Sequence, residues 1–213
     1  GCTVVLKPAP DTPWSATMLG RVVAQHTDIP AGVFNVVTAC DPAAIGEQLV
    51  VDPRVDMISF TGSTDVGKHI MRQAATTVKK VFLELGGKSA NIMLDDADLS
   101  QSLLSCLAVC FHAGQGCAIH TRLLIPRSRK AEVEALLKTY FGFIEYGNPD
   151  SESQIMGPLI NARQRERVLS YIALGKQEGA RVLLGGGIPG HLDKGCYVEP
   201  TVFMDVNNTM AIA

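Results

Sequence analysis

Apolar residues in this chain come in short runs divided by glycine and proline, and the runs alternate with stretches of helical spacing. Thr3 to Leu6 is β-branched and apolar and ends at Lys7-Pro8, as a central strand would. Pro13 suits the first turn of a helix that carries Trp14, Met18, Leu19, Val22 and Val23 on one face. Ile29-Pro30-Ala31-Gly32 ends that helix, and Val33 to Thr38 reads as a second strand. Ala43 to Val50 has the look of a short helix and Val55 to Phe60 of a third strand. Thr61-Gly62-Ser63-Thr64-Asp65-Val66-Gly67 then leads into a helix through about Thr76, and Lys80 to Glu84 is a fourth strand. Strands alternating with helices predict right-handed βαβ units and a largely parallel sheet.

The rhythm changes after Leu85-Gly86-Gly87-Lys88-Ser89, where a helical segment is expected to follow. Asp98 to about Phe111 reads as one helix, with Leu99, Leu103, Leu107 and Phe111 at helical spacing. Arg122 to Ile125 is a strand closed by Pro126. Ser128 is placed to N-cap a helix whose first turns hold Glu132 and Glu134. Asn161 is placed to cap another that runs to about Glu178. Arg181 to Leu184 is a strand before Gly185-Gly186-Gly187, and Val202 to Val206 is the last one. A seam near Lys88 divides the chain into residues 1–88 and 89–213. Both ends, Gly1-Cys2-Thr3-Val4 and Met210-Ala211-Ile212-Ala213, read as interior sequence and are expected to continue into something longer.

Composition narrows the function classes mainly by exclusion. Of 213 residues, 46% are apolar and 19% charged, below the usual charged share of about a quarter, so the chain is a buried, globular one. A net charge of −2 presents no basic field to nucleic acid or to an anionic membrane. No apolar run approaches the roughly 20 residues of a membrane span, and there is no secretory pattern. Six scattered cysteines without a regular framework predict free thiols in a reducing compartment, hence a cytoplasmic protein.

Two residues carry the candidate chemistry. Glu84 closes an apolar strand, where burial would raise its pKa toward that of a general base. A solvated strand-end acid is the plainer account. Cys117 follows Gly114-Gln115-Gly116, small neighbours that leave room for a carbonyl and for backbone N–H groups around its oxyanion. Cys106 and Cys110, on the preceding helical stretch, are best read as buried thiols. The Gly62-Ser63 turn before a helix suits a phosphate, although a simple cap by Ser63 or Thr64 explains the same residues. Lys7, at a strand's carboxyl end, can reach a ligand in the crevice there, or be an ordinary surface lysine. Cys106, Cys110, His112, Cys117 and His120 are a rival metal set, but their spacing fits no closed zinc pattern. A Cys–His hydrolase with His112 or His120 as base lacks an evident orienting group.

Taken together, these stretches resemble the aldehyde dehydrogenase superfamily. The resemblance rests on Val4-Val5-Leu6-Lys7-Pro8-Ala9, Ile58-Ser59-Phe60-Thr61-Gly62-Ser63-Thr64, Leu83-Glu84-Leu85-Gly86-Gly87-Lys88-Ser89, Gly114-Gln115-Gly116-Cys117, Met156-Gly157-Pro158-Leu159-Ile160 and Gly195-Cys196-Tyr197-Val198-Glu199-Pro200-Thr201, in that order. It implies an α/β chain: the C-terminal part of a Rossmann-like cofactor domain, then most of an α/β catalytic domain. It further implies NAD- or NADP-dependent oxidation of an aldehyde to a carboxylic acid through a cysteine thioester. Cys117 matches the nucleophile and Glu84 the base that activates the hydrolytic water. Lys7 matches the adenosine-ribose lysine, Gly62 and Ser63 the turn near the dinucleotide, and Leu85 a residue whose backbone neighbours the nicotinamide. Relatives that pass the acyl group to coenzyme A generally lack the glutamate, so the hydrolytic branch is implied.

The implied partners are a small-molecule aldehyde and, for the full-length form, further copies in a homo-oligomer, with no metal, nucleic acid or membrane. Three departures stand out. Pro10 occupies the place of the acid three residues after the ribose lysine, with Asp11 as a possible substitute, which leaves NAD against NADP open. Ala90 stands where a proline is common. The family's oxyanion-binding asparagine would lie before Gly1, and its glutamate-phenylalanine-glycine-proline motif and pairing strand beyond Ala213. An internal portion of the enzyme is therefore expected, with little or no turnover alone. The alternatives are a non-catalytic piece that keeps some nucleotide binding, and a metal-stabilised interaction module.

Overall fold

A computed structural model describes all of residues 1–213. The chain divides into two compact units, Gly1–Leu85 and Gly86–Ala213. No helix in it is long and apolar enough to cross a membrane.

The first unit is built from two parallel strand pairs and three helices. Strand β1 (Val4–Leu6) pairs in parallel with β2 (Phe34–Val36), and α1 (Trp14–His26) connects them. Pro13 immediately precedes α1, where its fixed φ costs nothing. The apolar face of α1 is left open: none of its residues is buried, and Trp14 is 75% exposed. Helix α2 (Pro42–Val51) starts at Asp41, whose Oδ1 accepts from the N–H groups of Ala43 and Ala44, both at 3.1 Å.

Strand β3 (Met57–Gly62) pairs in parallel with β4 (Lys80–Leu85) across α3 (Thr64–Ala74). Gly67, Ile70 and Ala74 form the buried face of α3. A Cβ on Gly67 would come within 2.9 Å of Leu85 Cδ2, so helix and strand pack closer there than any side chain allows. Lys79 is buried, and its ammonium donates to the carbonyls of Asp52 and Val55 (2.7 Å to the latter), clasping the α2–β3 turn to the start of β4. Burying that charge is tolerable because both acceptors are fixed backbone groups.

The second unit departs from the expected pattern in four places. The residues after Gly86-Gly87-Lys88 form a strand, β5 (Ser89–Ile92), parallel to β6 (His120–Leu124), where a helical segment was expected. The single helix expected over Asp98 to Phe111 is a short α4 (Leu99–Ser102) followed by a 3-10 stretch, Leu103–Gly114. Within that stretch Phe111, His112 and Ala113 leave helical geometry altogether. Ser128 does not cap a helix: Arg127–Arg129 is a 3-10 turn, and α5 (Lys130–Gly142) begins after it without a side-chain cap. Arg129 Nη1 instead donates to the carbonyls of Asp95 (3.1 Å) and Ala97 (2.6 Å), a tertiary tie that fixes the turn. Finally, β7 (Arg181–Leu184) and β8 (Val202–Met204) are antiparallel, so the pairing is parallel in three pairs only.

Other elements match their residues. Asn161 caps α6 (Ala162–Gln177), its Oδ1 accepting from Gln164 N–H at 2.9 Å. The core of this unit gathers Leu99, Leu103, Cys106, Cys110, Val133, Leu137 and Phe141, all nearly or wholly out of water. A smaller cluster of Leu159, Ile172 and Val198 lies under α6.

Candidate functional site

The first unit brings together four of the candidate residues at one end of one strand pair. In the β3–β4 register Thr61 lies opposite Glu84 and Gly62 opposite Leu85, so Gly62, Ser63, Glu84 and Leu85 all stand at the carboxyl end of these parallel strands. That is the end at which α/β sheets bind ligands, because connecting loops and helix N-termini converge there. Ser63 is the N-cap of α3, accepting from Val66 N–H at 3.4 Å. A phosphate could meet the remaining free N–H groups of this first turn.

Lys7 stands at the corresponding end of β1. It is half-buried, its Nζ donates to the Pro8 carbonyl at 2.9 Å, and its methylenes pass over Gly46 of α2. A cavity of about 90 Å³ opens beside it, walled by Pro8, Val37, Thr38, Ala39 and Pro42. Helix α2 is tied to α3 by Glu47 and His69, 2.7 Å apart. A cation at one strand end and a glycine-serine helix start at another are groups that would fit the ribose and pyrophosphate of a dinucleotide.

Glu84 corrects one expectation. Its side chain is exposed, and burial alternates along β4: Val81, Leu83 and Leu85 turn inward while Lys80, Phe82 and Glu84 turn outward. The argument that burial raises its basicity therefore does not apply within this unit.

In the second unit Cys117 lies in an exposed turn between the 3-10 stretch and β6. Its loop is braced from three sides. Gln115 Oε1 accepts from Ile160 N–H at 3.1 Å. Ile119, buried, fills the space over Gly116. Gly87 lies alongside the Cys117 carbonyl, which a Cβ at that position would meet at 3.9 Å, an ordinary contact distance. Arg122 Nε donates to the Lys88 carbonyl at 2.8 Å and so holds the Gly86-Gly87-Lys88 segment along β6. Within this unit the Gly114–Cys117, Met156–Ile160 and Gly195–Thr201 stretches are thus linked in series. Leu159 N–H donates to the Cys196 carbonyl (2.9 Å), and the buried Tyr197 hydroxyl to the Gly147 carbonyl (2.8 Å).

The cysteines separate cleanly. Cys106 and Cys110 are in the core, and burial pushes both thiols up, Cys110 to about 11. His112, Cys117 and His120 are exposed. The five residues of the rival metal set therefore do not face a common point. Gln115 and Arg122 had not stood out as contributors to the site. The signal for Gln115 was its place between two glycines, where a turn needs a side chain to supply missing hydrogen bonds.

Comparison with known proteins places the chain. The model of the family described as "Aldehyde dehydrogenase family" matches residues 1–213. A 3-succinoylsemialdehyde-pyridine dehydrogenase from Pseudomonas sp. is 43% identical over 215 residues, which cover 100% of this chain and 45% of that protein. The aldehyde dehydrogenase of Mycobacterium tuberculosis, solved in complex with NAD+, superposes with a TM-score of 0.94 at 45% identity, over 100% of this chain and 44% of that one. A variant of aldehyde dehydrogenase C from Pseudomonas syringae, in complex with NAD+ and octanal, gives 0.93 at 42% identity, over 99% and 44%. The chain spans less than half the length of these relatives.

Proposed function

The chain belongs to the aldehyde dehydrogenase family, and from that premise we propose that it carries part of the machinery for NAD(P)-dependent oxidation of an aldehyde to a carboxylic acid. In this reading residues 1–88 are part of a dinucleotide-binding domain and residues 89–213 part of the thiol-bearing one. Lys7 holds the adenosine ribose, Gly62 and Ser63 the region of the pyrophosphate, and the Leu85 backbone neighbours the nicotinamide. When bound, the dinucleotide supplies the two-electron acceptor.

The remaining chemistry falls to two side chains. Cys117 Sγ, as thiolate, adds to the aldehyde carbonyl carbon and leaves the oxygen as an oxyanion beside the backbone amides of its turn. Oxidation of that adduct leaves an acyl group bonded to Sγ as a thioester. Glu84 takes a proton from the water that attacks the thioester, and the acid departs with Cys117 restored. The observation that carries the reading is the contrast among thiols: Cys117 is offered on a braced, exposed turn while its neighbours Cys106 and Cys110 are sealed in the core.

Iodoacetamide labelling with peptide mass mapping tests it. Cys117 is expected to react at least about tenfold faster than Cys2 and Cys40, which are also exposed. Labelling of these three at one rate sinks the nucleophile assignment. Because the chain spans less than half of its relatives, a second reading is carried alongside: binding of NAD+ without turnover. Titration with NAD+ combined with an NADH assay in the presence of octanal separates the two.

A further inference from the structure

The Cys117 turn depends on one side chain that its exposure gives no reason to be ordered. His112, Ala113 and Gly114 have φ of 53°, 52° and 73°, three successive residues in the left-handed region. A residue with a Cβ occupies that region only when its surroundings hold it there. Gln115 spans this run with hydrogen bonds. Its backbone N–H (3.1 Å) and its side-chain Nε2 (3.0 Å) both donate to the His112 carbonyl, closing the left-handed turn. The other end of the same amide, Oε1, accepts from Ile160 N–H at 3.1 Å. Ile160 is a firm anchor, since Leu159 beside it is buried with Ile172 and Val198 and is bonded to the Cys196 carbonyl.

We propose that Gln115 is a positioning residue for the Cys117 thiol. One amide clamps the turn that delivers the chain to Gly116-Cys117, and the same amide fixes that turn against the Leu159–Ile160 segment. Its two functions use opposite ends of the group, donor and acceptor, so they can be removed separately. The proposal rests on the reading of Cys117 as nucleophile and adds the means by which its place is set.

The test uses the full 213-residue chain with Gln115→Met, which removes both ends of the side-chain amide at similar volume, and Gln115→Glu, whose side chain keeps an acceptor for Ile160 N–H but cannot donate to the His112 carbonyl, the backbone N–H bond of residue 115 remaining in both. Two readouts are taken: amide hydrogen exchange, and the iodoacetamide rate at Cys117 relative to Cys2. In Gln115→Met, exchange at residues 112–118 and at Ile160 is expected to rise about tenfold, with Val133 and Leu137 in the core unchanged. The Cys117-to-Cys2 rate ratio falls toward one. In Gln115→Glu, Ile160 stays protected, exchange at 112–114 rises, and the ratio is intermediate.

Wild-type exchange and ratio in Gln115→Met overturn the proposal. So does faster exchange at Val133 and Leu137 to the same degree, which would mark general loosening. If Gln115→Met does not fold, Gln115→Glu decides: exchange at Ile160 as fast as at 112–114 overturns the clamp. A ratio of one in the unsubstituted chain defeats the nucleophile reading instead, and leaves the exchange data to judge Gln115.

Discussion

Gly1–Leu85 keeps only Val50, Ile70 and Ala74 among its apolar side chains fully from water, whereas Gly86–Ala213 wraps Leu99, Leu103, Val133, Leu137 and Phe141 in one continuous cluster. The first unit is held instead by parallel strand pairs, by the Gly67–Leu85 approach and by the Lys79 clasp, and it leaves Trp14, Met18, Leu19 and Val22 of α1 exposed. An 85-residue unit can bury only a limited fraction of its surface, and this one uses even that sparingly. The consequence for function is a division of support. The proposed nucleophile is mounted on the well-filled unit, and the proposed cofactor residues on the thinly filled one.

The largest expected effect follows from this contrast. Leu103→Ala, at a position with 0% exposure, should cost about 2–5 kcal/mol in urea unfolding, from lost transfer energy and the cavity left behind. Leu19→Ala, on the open face of α1 at 46% exposure, should cost about 1 kcal/mol or less. Equal costs at the two positions would break the comparison.

A smaller effect probes how the first unit holds without large buried side chains. Gly67→Ala gains about 1 kcal/mol in helix propensity. Against this, the new methyl would stand 2.9 and 3.0 Å from the two Leu85 methyls. Overpacking of that kind costs about 1–3 kcal/mol, so a net loss of about 1 kcal/mol is expected in the same unfolding measurement. A net gain would show that α3 and β4 have slack, and that close backbone approach is not what joins them.

Much of this architecture was legible because local rules and tertiary packing agreed. The bounds expected for Arg181 to Leu184 and the cap expected at Asn161 both match, since a glycine run and an Asx side chain act through their own backbone. The failures lie where distant partners decided. Ser-Ala-Asn-Ile is too short and mixed to announce β5, which exists because β6 pairs with it. The leucine spacing after Asp98 is helical, but the chain must turn into the Cys117 loop, and the left-handed His112 and Ala113 have no glycine to signal them. Ser128 lost its capping place to the ties of Arg129 with Asp95 and Ala97.

The candidate site shows the same division. That Gly62, Ser63, Glu84 and Leu85 stand together at one strand end was legible from motif and strand order, as was the turn that carries Cys117. The exposure of Glu84 was not legible, because Val81, Phe82 and Leu83 are all apolar and the outward turn of Phe82, which sets the alternation, is seen only in the fold. Gln115 was legible only in part: its place between two glycines marks a turn, but its bond to Ile160, 45 residues away, leaves no local trace in the sequence.

The smallest effect vanishes at neutral pH and isolates the core of the second unit by its thiols. Burial raises Cys106 and carries Cys110 to about 11, against an ordinary value of 9.0. Between about pH 9 and 11 the unfolded chain therefore gives up a thiol proton that the folded chain retains. The unfolded state then binds fewer protons, and stability falls as pH rises through that window, while below pH 9 these thiols contribute no slope. The measurement is the urea midpoint from pH 8 to 11 in the parent chain, in Cys106→Ala/Cys110→Ala, and in Cys40→Ala as a matched control from the first unit. The double variant is less stable throughout because it loses core volume, so the slopes are compared and not the midpoints. Its alkaline slope should be shallower than that of the parent, and the control should keep the parent slope. If the double variant falls as steeply as the parent above pH 9, Cys106 and Cys110 are reached by solvent in the folded chain. The contrast between a sealed core and an open first unit would then be weaker than their burial implies.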